Sequence, residues 1–147
     1  MWSSGESKMG KRLKVTAILV LVSILVATLA GCAGGGITFA DPNLEAAIRQ
    51  TIGKPEANIY QSDLEELASL QAIDRGIADI TGLEDCTGLT RLVLEDNQIG
   101  DITPLSDLIN LELLDPNGNQ VSDITPLENL TSLSYLYLAD NGDMPTF

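Results

Sequence analysis

Asp79, Asp101 and Asp123 recur every 22 residues. Three carboxylates at one period, on neighbouring turns of a repeating chain, would stack about 5 Å apart. Such a ladder could hold a divalent cation, calcium for example. Alternatively each aspartate accepts hydrogen bonds from its own turn. The spacing matches no calcium loop, which favours the second reading. Other carboxylates sit in adjacent pairs, Glu65-Glu66, Glu84-Asp85 and Glu95-Asp96. In so acidic a chain these read as solvated faces rather than acid/base couples. Histidine is absent, which removes the commonest general base and the commonest metal ligand. G-x-S-x-G, Cys-x-x-Cys and phosphate-loop patterns are also missing. The residues therefore point to a non-catalytic protein without a cofactor.

The charge is divided along the chain. Of 147 residues, the basic ones Lys8, Lys11, Arg12 and Lys14 crowd the start. From Cys32 onward, four basic residues face twenty acidic ones, a net charge of −16. That surface repels nucleic acid and favours cationic partners. Val15 to Ala30 is an apolar run of sixteen residues, broken only by Thr16, Ser23 and Thr28. It is short for a bilayer span of about 20 residues and fits the apolar core of a secretory signal. Met9 offers an alternative start, since "MGKRLKV" serves as a leader equally well.

Leu29-Ala30-Gly31-Cys32 follows that run and resembles the bacterial lipobox. The resemblance implies a signal peptide over 1–31, cleavage before Cys32, and lipid on its thiol. Ordinary cleavage near Ala30 or Ala33, with Cys32 incidental, is the alternative. Acyl chains contribute about 0.8 kcal/mol per buried methylene, so two or more hold a protein on a membrane. Residues 32–37 would then be a lipidated cysteine and a short tether, placing the protein on the extracytoplasmic face of the envelope.

The remainder repeats. Leu67, Leu89, Leu111 and Leu133 are 22 apart, as are Leu70, Leu92, Leu114 and Leu136. Ile77, Ile99 and Val121 share the register, as do Ile80, Ile102 and Ile124, and Leu83, Leu105 and Leu127. Cys86 falls where Leu108 and Leu130 fall, which suits a buried free thiol. One repeat cannot close its own core, but stacking brings equivalent leucines together, each burial stabilising by about 1.5–3 kcal/mol. "LTRLVLEDNQIGDITPL" resembles the leucine-rich repeats of the bacterial internalin type. The resemblance implies an α/β solenoid with a short parallel sheet on the concave face and short helical turns on the convex face. It also implies that Asn97 and Asn119 are buried and satisfy backbone groups. Three full repeats and one partial one would occupy 67–147.

Departures from the pattern carry expectations. Arg75 stands at the asparagine position of the first repeat, Asn141 keeps it in the last, and Asp143 breaks the apolar pattern. Pro116 falls where Leu94 and Leu138 point inward, so the third strand is expected to be shortened or distorted, or this copy of the repeat degraded. Thr103-Pro104 and Thr125-Pro126 suit the starts of helical turns, with threonine as the cap. Residues 38–66 read as a helical N-terminal cap. Its first helix has Asp41 as N-cap, Pro42 in first position and Gly53 at its end, with Leu44, Ala47, Ile48 and Ile52 inward. A second helical turn is expected with Ser62 as cap and Leu64 and Leu67 inward. No matching cap follows the last repeat, which suggests either a truncated chain or an end covered by a partner or a second copy.

Alternation along the strands places a candidate partner-binding set on the concave face: Arg91, Val93, Glu95, Leu113, Asp115, Tyr135 and Tyr137. The expected partner is a protein. The alternatives are a truncated structural remnant, or a targeting module of a larger surface protein or enzyme.

Overall fold

The computed structural model describes residues 36–142. The leader, Cys32 and Asp143 lie outside that range. The N-terminal cap has two helices, α1 (Pro42–Ile52) and α2 (Gln61–Glu65). Asp41 is the N-cap of α1, Pro42 opens it, and Gly53 ends it with φ 70°. A left-handed residue at that point suits glycine because no Cβ meets the preceding carbonyl. Leu44, Ala47 and Ile48 are buried, with Ile52 partly buried beside them. Ile37, the last residue of the expected tether, donates its N–H to Ile59 O (2.8 Å), pinning the entry of the chain to the cap.

The cap of α2 differs from expectation. Ser62 lies inside the helix and Tyr60 is the N-cap. The Tyr60 N–H donates to Asp63 Oδ2 (2.8 Å), and Asp63 is itself held by Lys54 Nζ at 2.8 Å. The carboxylate three residues in holds the Tyr60 N–H, so the helix begins after Tyr60 and Ser62 falls inside its first turn.

Beyond the cap the chain winds in coils of 22 residues. β1 (Ser69–Gln71), β2 (Arg91–Val93), β3 (Leu113–Asp115) and β4 (Tyr135–Leu136) form one parallel sheet in sequence order. Register is strict: Leu70 pairs with Leu92, Leu92 with Leu114, and Leu114 with Leu136. Each of the first three strands is followed by a 3-10 turn, Leu83–Asp85, Thr103–Leu105 and Thr125–Leu127. Leu70, Leu92, Leu114, Ile77, Ile99, Val121, Leu83 and Leu105 are fully buried in one continuous core that also takes in the cap. Cys86 is buried and free, and burial, with help from Asp85 and Glu84, pushes its thiol up to about 12. A thiol so unwilling to ionise is a packing residue.

Burial fades in the last described coil. Ile124 and Leu133 are only partly buried and Leu136 is 38% exposed. With Leu127 and Leu130 they line a hollow of about 500 Å³.

Pro116 does not shorten β3, which has three residues like β1 and β2. The shortened strand is β4, with two. In the preceding coils the equivalent N–H groups donate across the sheet, Ala72 to Val93 O and Leu94 to Asp115 O. Pro116 has no N–H to give Tyr137 O, so pairing with β4 stops a residue early. The rungs on either side survive, Tyr137 N–H to Leu114 O (3.1 Å) and Gly118 N–H to Ala139 O (2.9 Å). A missing donor thus damages the neighbour that needed it rather than the strand that carries the proline.

Candidate functional site

The concave face is held in shape by side chains at the turn after each strand. Asn97 Oδ1 accepts the N–H groups of Arg75 (3.1 Å) and Ile77 (3.0 Å) from the preceding coil. Its Nδ2 donates to Ala72 O, Leu94 O and Glu95 O at 2.7–3.1 Å. Asn119 repeats this, accepting from Ile99 N–H and donating to Leu94 O, Pro116 O and Asn117 O. Asn141 continues it with Val121 N–H, Pro116 O and Ala139 O. Asn97 and Asn119 are buried at 8% and 7% exposure. Each amide therefore ties its own coil to the one before it.

The residue before this position is left-handed in every coil: Asp74 (φ 50°), Asp96 (φ 56°), Gly118 (φ 64°) and Asp140 (φ 54°). This device was not read from the sequence, although an Asp/Asp/Gly/Asp series at the 22-residue period was visible there. Aspartate tolerates that conformation better than most residues. At 118 glycine also leaves room for the carboxylate of Asp96 in the preceding coil, which a Cβ there would displace.

At the first coil, where Arg75 replaces asparagine, the Arg75 side chain turns to the cap and donates to Gln50 Oε1 (3.1 Å). Asp41 joins cap and first coil from the other side. Its Oδ1 accepts from Asn43 and Leu44 at the start of α1, and its Oδ2 from Ala78 (2.8 Å) and Asp79 (3.3 Å) in the first coil. Burial works to raise its pKa, but the N–H groups of Ala78, Asn43, Asp79 and Leu44 outweigh it and hold the carboxyl below its usual 3.8. Asp41→Ala is expected to cost about 2–3 kcal/mol, from the lost cap and two stranded first-coil donors. Because the folded-state pKa is lowered, the contribution is complete above pH 3.8 and disappears as pH falls through the folded value. Urea unfolding of wild type and variant from pH 7 to pH 2.5 should show the gap narrowing only below that point.

Asp79, Asp101 and Asp123 accept the N–H of Thr81 (2.8 Å), Thr103 (2.8 Å) and Thr125 (2.9 Å), each two residues on. Hydrogen bonds from the threonine hydroxyls and then these N–H groups lower all three carboxyls. Each aspartate is thus occupied by its own turn. Thr103 and Thr125 lie within their 3-10 turns and do not cap them, and Thr81 precedes the first; the aspartate two residues earlier takes the free N–H. Among the described residues no cluster of three potential ligands is arranged to hold a metal.

The expected concave residues divide by exposure. Tyr135 (59%) and Tyr137 (45%) stand free, Arg91 is exposed, and Glu95, Leu113 and Asp115 are half-buried. Val93 is a correction. It is 4% exposed, although it lies outside the contiguous core. Central in the sheet, flanked in register by Gln71 and Asp115, it is covered by its neighbours and has little surface to offer a partner. Cys32 lies outside the described residues.

One strand and one short turn per 22 residues, buried leucines in register and an asparagine ladder define a leucine-rich repeat solenoid. Solved structures of that class share its shape. An internalin, InlF, from Listeria monocytogenes matches with a TM-score of 0.69 and 38% identity, over 70% of this chain and 31% of its own. The functional domain of InlJ from the same organism, which includes a cysteine ladder, matches with 0.65 and 30% identity, over 75% and 26%. A structure of the CBM51-2 and INT domains of Clostridium perfringens ZmpB matches with 0.54 and 27% identity, over 61% and 20%. The chain spans less than a third of each of these. No protein-family model and no curated protein matches the sequence.

Proposed function

We propose that this protein is a lipid-anchored, extracytoplasmic binding protein whose concave sheet face engages a protein partner, without catalysis of its own. The observation that carries the reading is the pair Tyr135 and Tyr137, two large side chains left 59% and 45% exposed on an otherwise ordered strand face. Tyrosines offer rigid contact area at low entropic cost and are enriched where proteins meet. The half-buried Leu113 beside Tyr135 extends the patch. The likeness to internalins supports an interaction module, and Cys32 behind the apolar leader supports the anchor. In this arrangement 1–31 is removed, 32–37 leads from the lipid, 38–66 caps the stack, and the repeats from 67 present the face.

Two measurements test it. Cells given labelled palmitate should incorporate it into the wild-type chain, in the membrane fraction, and Cys32→Ser should abolish both labelling and retention. A partner cross-linked to the protein at the cell envelope should be lost from a Tyr135→Ala/Tyr137→Ala variant that unfolds at the same urea concentration as the parent. Equal capture by that variant overturns the concave-face reading.

A further inference from the structure

The rows of side chains that cross the concave face have unequal chemistry. One runs Ser69, Arg91, Leu113, Tyr135 in register. The next runs Gln71, Val93, Asp115 and then Tyr137, which follows the paired Leu136 and whose N–H donates to Leu114 O, so that its backbone stands at the position next to Asp115 in register. Strand spacing puts their attachment points about 5 Å apart. Asp115 is half-buried, and among the described residues its carboxylate accepts one hydrogen bond, the long contact from Asn117 N–H to Oδ1 (3.3 Å). The ion pairs of the described residues, Arg49–Glu45 and Lys54–Asp63, both lie in the cap. From Leu67 to Gly142, thirteen acidic residues meet only Arg75 and Arg91 as countercharges, and Arg75 is turned to Gln50.

Building on the concave-face reading, we propose that the partner presents a basic, extended segment, with a lysine or arginine side chain seated between Asp115 and Tyr137. The carboxylate supplies the countercharge. The tyrosine ring face attracts the same cation and covers its aliphatic stem. Four strands make a platform only about 15 Å wide, which four or five extended residues cross. A second copy of this chain carries the same negative charge and is repelled, as is nucleic acid. The cation in the partner neutralises a carboxylate that the fold leaves without one.

The probes are three eight-residue peptides: oligolysine, oligoglutamate and alternating Gly-Ser. Calorimetry with the full chain at about 0.1 M salt, where the screening length is about 10 Å, should detect binding of oligolysine alone. Asp115→Asn and Tyr137→Ala should each weaken it about five- to tenfold. Asp107→Asn removes an exposed charge after the second 3-10 turn and should leave affinity within about twofold, as expected for a screened, distant charge. All three positions reach solvent, and unchanged urea midpoints will show that folding is retained. Equal losses at Asp107 and Asp115 would mean bulk charge attraction only and overturn the proposal, as would no binding of oligolysine. A cellular partner that needs both tyrosines but ignores Asp115→Asn would sink this inference and leave the concave-face function standing. A partner indifferent to both tyrosines would sink both.

Discussion

Asn97→Ala is expected to lower the unfolding free energy by about 3–5 kcal/mol, more than the loss of any surface residue. The change removes an acceptor from Arg75 N–H and Ile77 N–H and a donor from Ala72 O, Leu94 O and Glu95 O. Ile77 N–H and Ala72 O are shut away from water with the 8% exposed amide and Arg75 N–H partly so, and alanine gives them nothing, whereas Leu94 O keeps the Asn119 amide and Glu95 O the Asp74 N–H. An unpaired buried polar group costs about 1–3 kcal/mol, so two or three left stranded account for the total. Asn141→Ala should cost less, because that amide is only partly buried and serves three partners. Urea unfolding followed by circular dichroism gives both numbers. A cost below about 1 kcal/mol for Asn97→Ala would mean that the ladder is ornamental, since a typical net hydrogen bond alone is worth that much.

The second large effect compares two leucines at one register position. Leu92→Ala should cost about 2–5 kcal/mol, the range for a cavity opened in a packed interior. Leu136→Ala should cost about 1 kcal/mol or less, since much of its transfer energy is never collected. Leu92 is fully buried between Leu70 and Leu114, whereas Leu136, among the described residues, has Leu114 on one side only and is 38% exposed. In a stack where each coil touches only its neighbours, position along the array sets the value of an identical side chain. Equal costs at the two sites, measured as shifts in urea midpoint at constant slope, would contradict the stacking.

Much of this architecture was legible before any coordinates. The 22-residue recurrence of leucines marks which side chains meet, because stacked equivalents are the only way short repeats can bury them. The α1 boundaries were equally plain, because Asp41, Pro42 and Gly53 act through local backbone geometry. The free tyrosines followed from simple alternation along a strand.

The misreadings share a cause. Ser62 seemed a cap until Asp63, fixed by Lys54, proved to hold the Tyr60 N–H. Pro116 seemed to threaten its own strand, yet the missing donor is felt by β4. Val93 points out of the core as alternation requires, yet neighbouring strands close over it. In each case the outcome depended on a competitor or neighbour whose position is not encoded locally.

The amino-acid order by itself determined the coil length, the register of the leucines, the first cap helix and the excess of negative charge. These rest on periodicity and on short-range backbone preferences, which a linear reading contains. Only the tertiary structure decided that Asp41 joins the cap to the first coil, that Asn97 and Asn119 each link two coils, and that Asp115 and Tyr137 share a row. Those depend on hydrogen bonds and register between residues 20 or more positions apart, and such pairings exist only once the chain has wound.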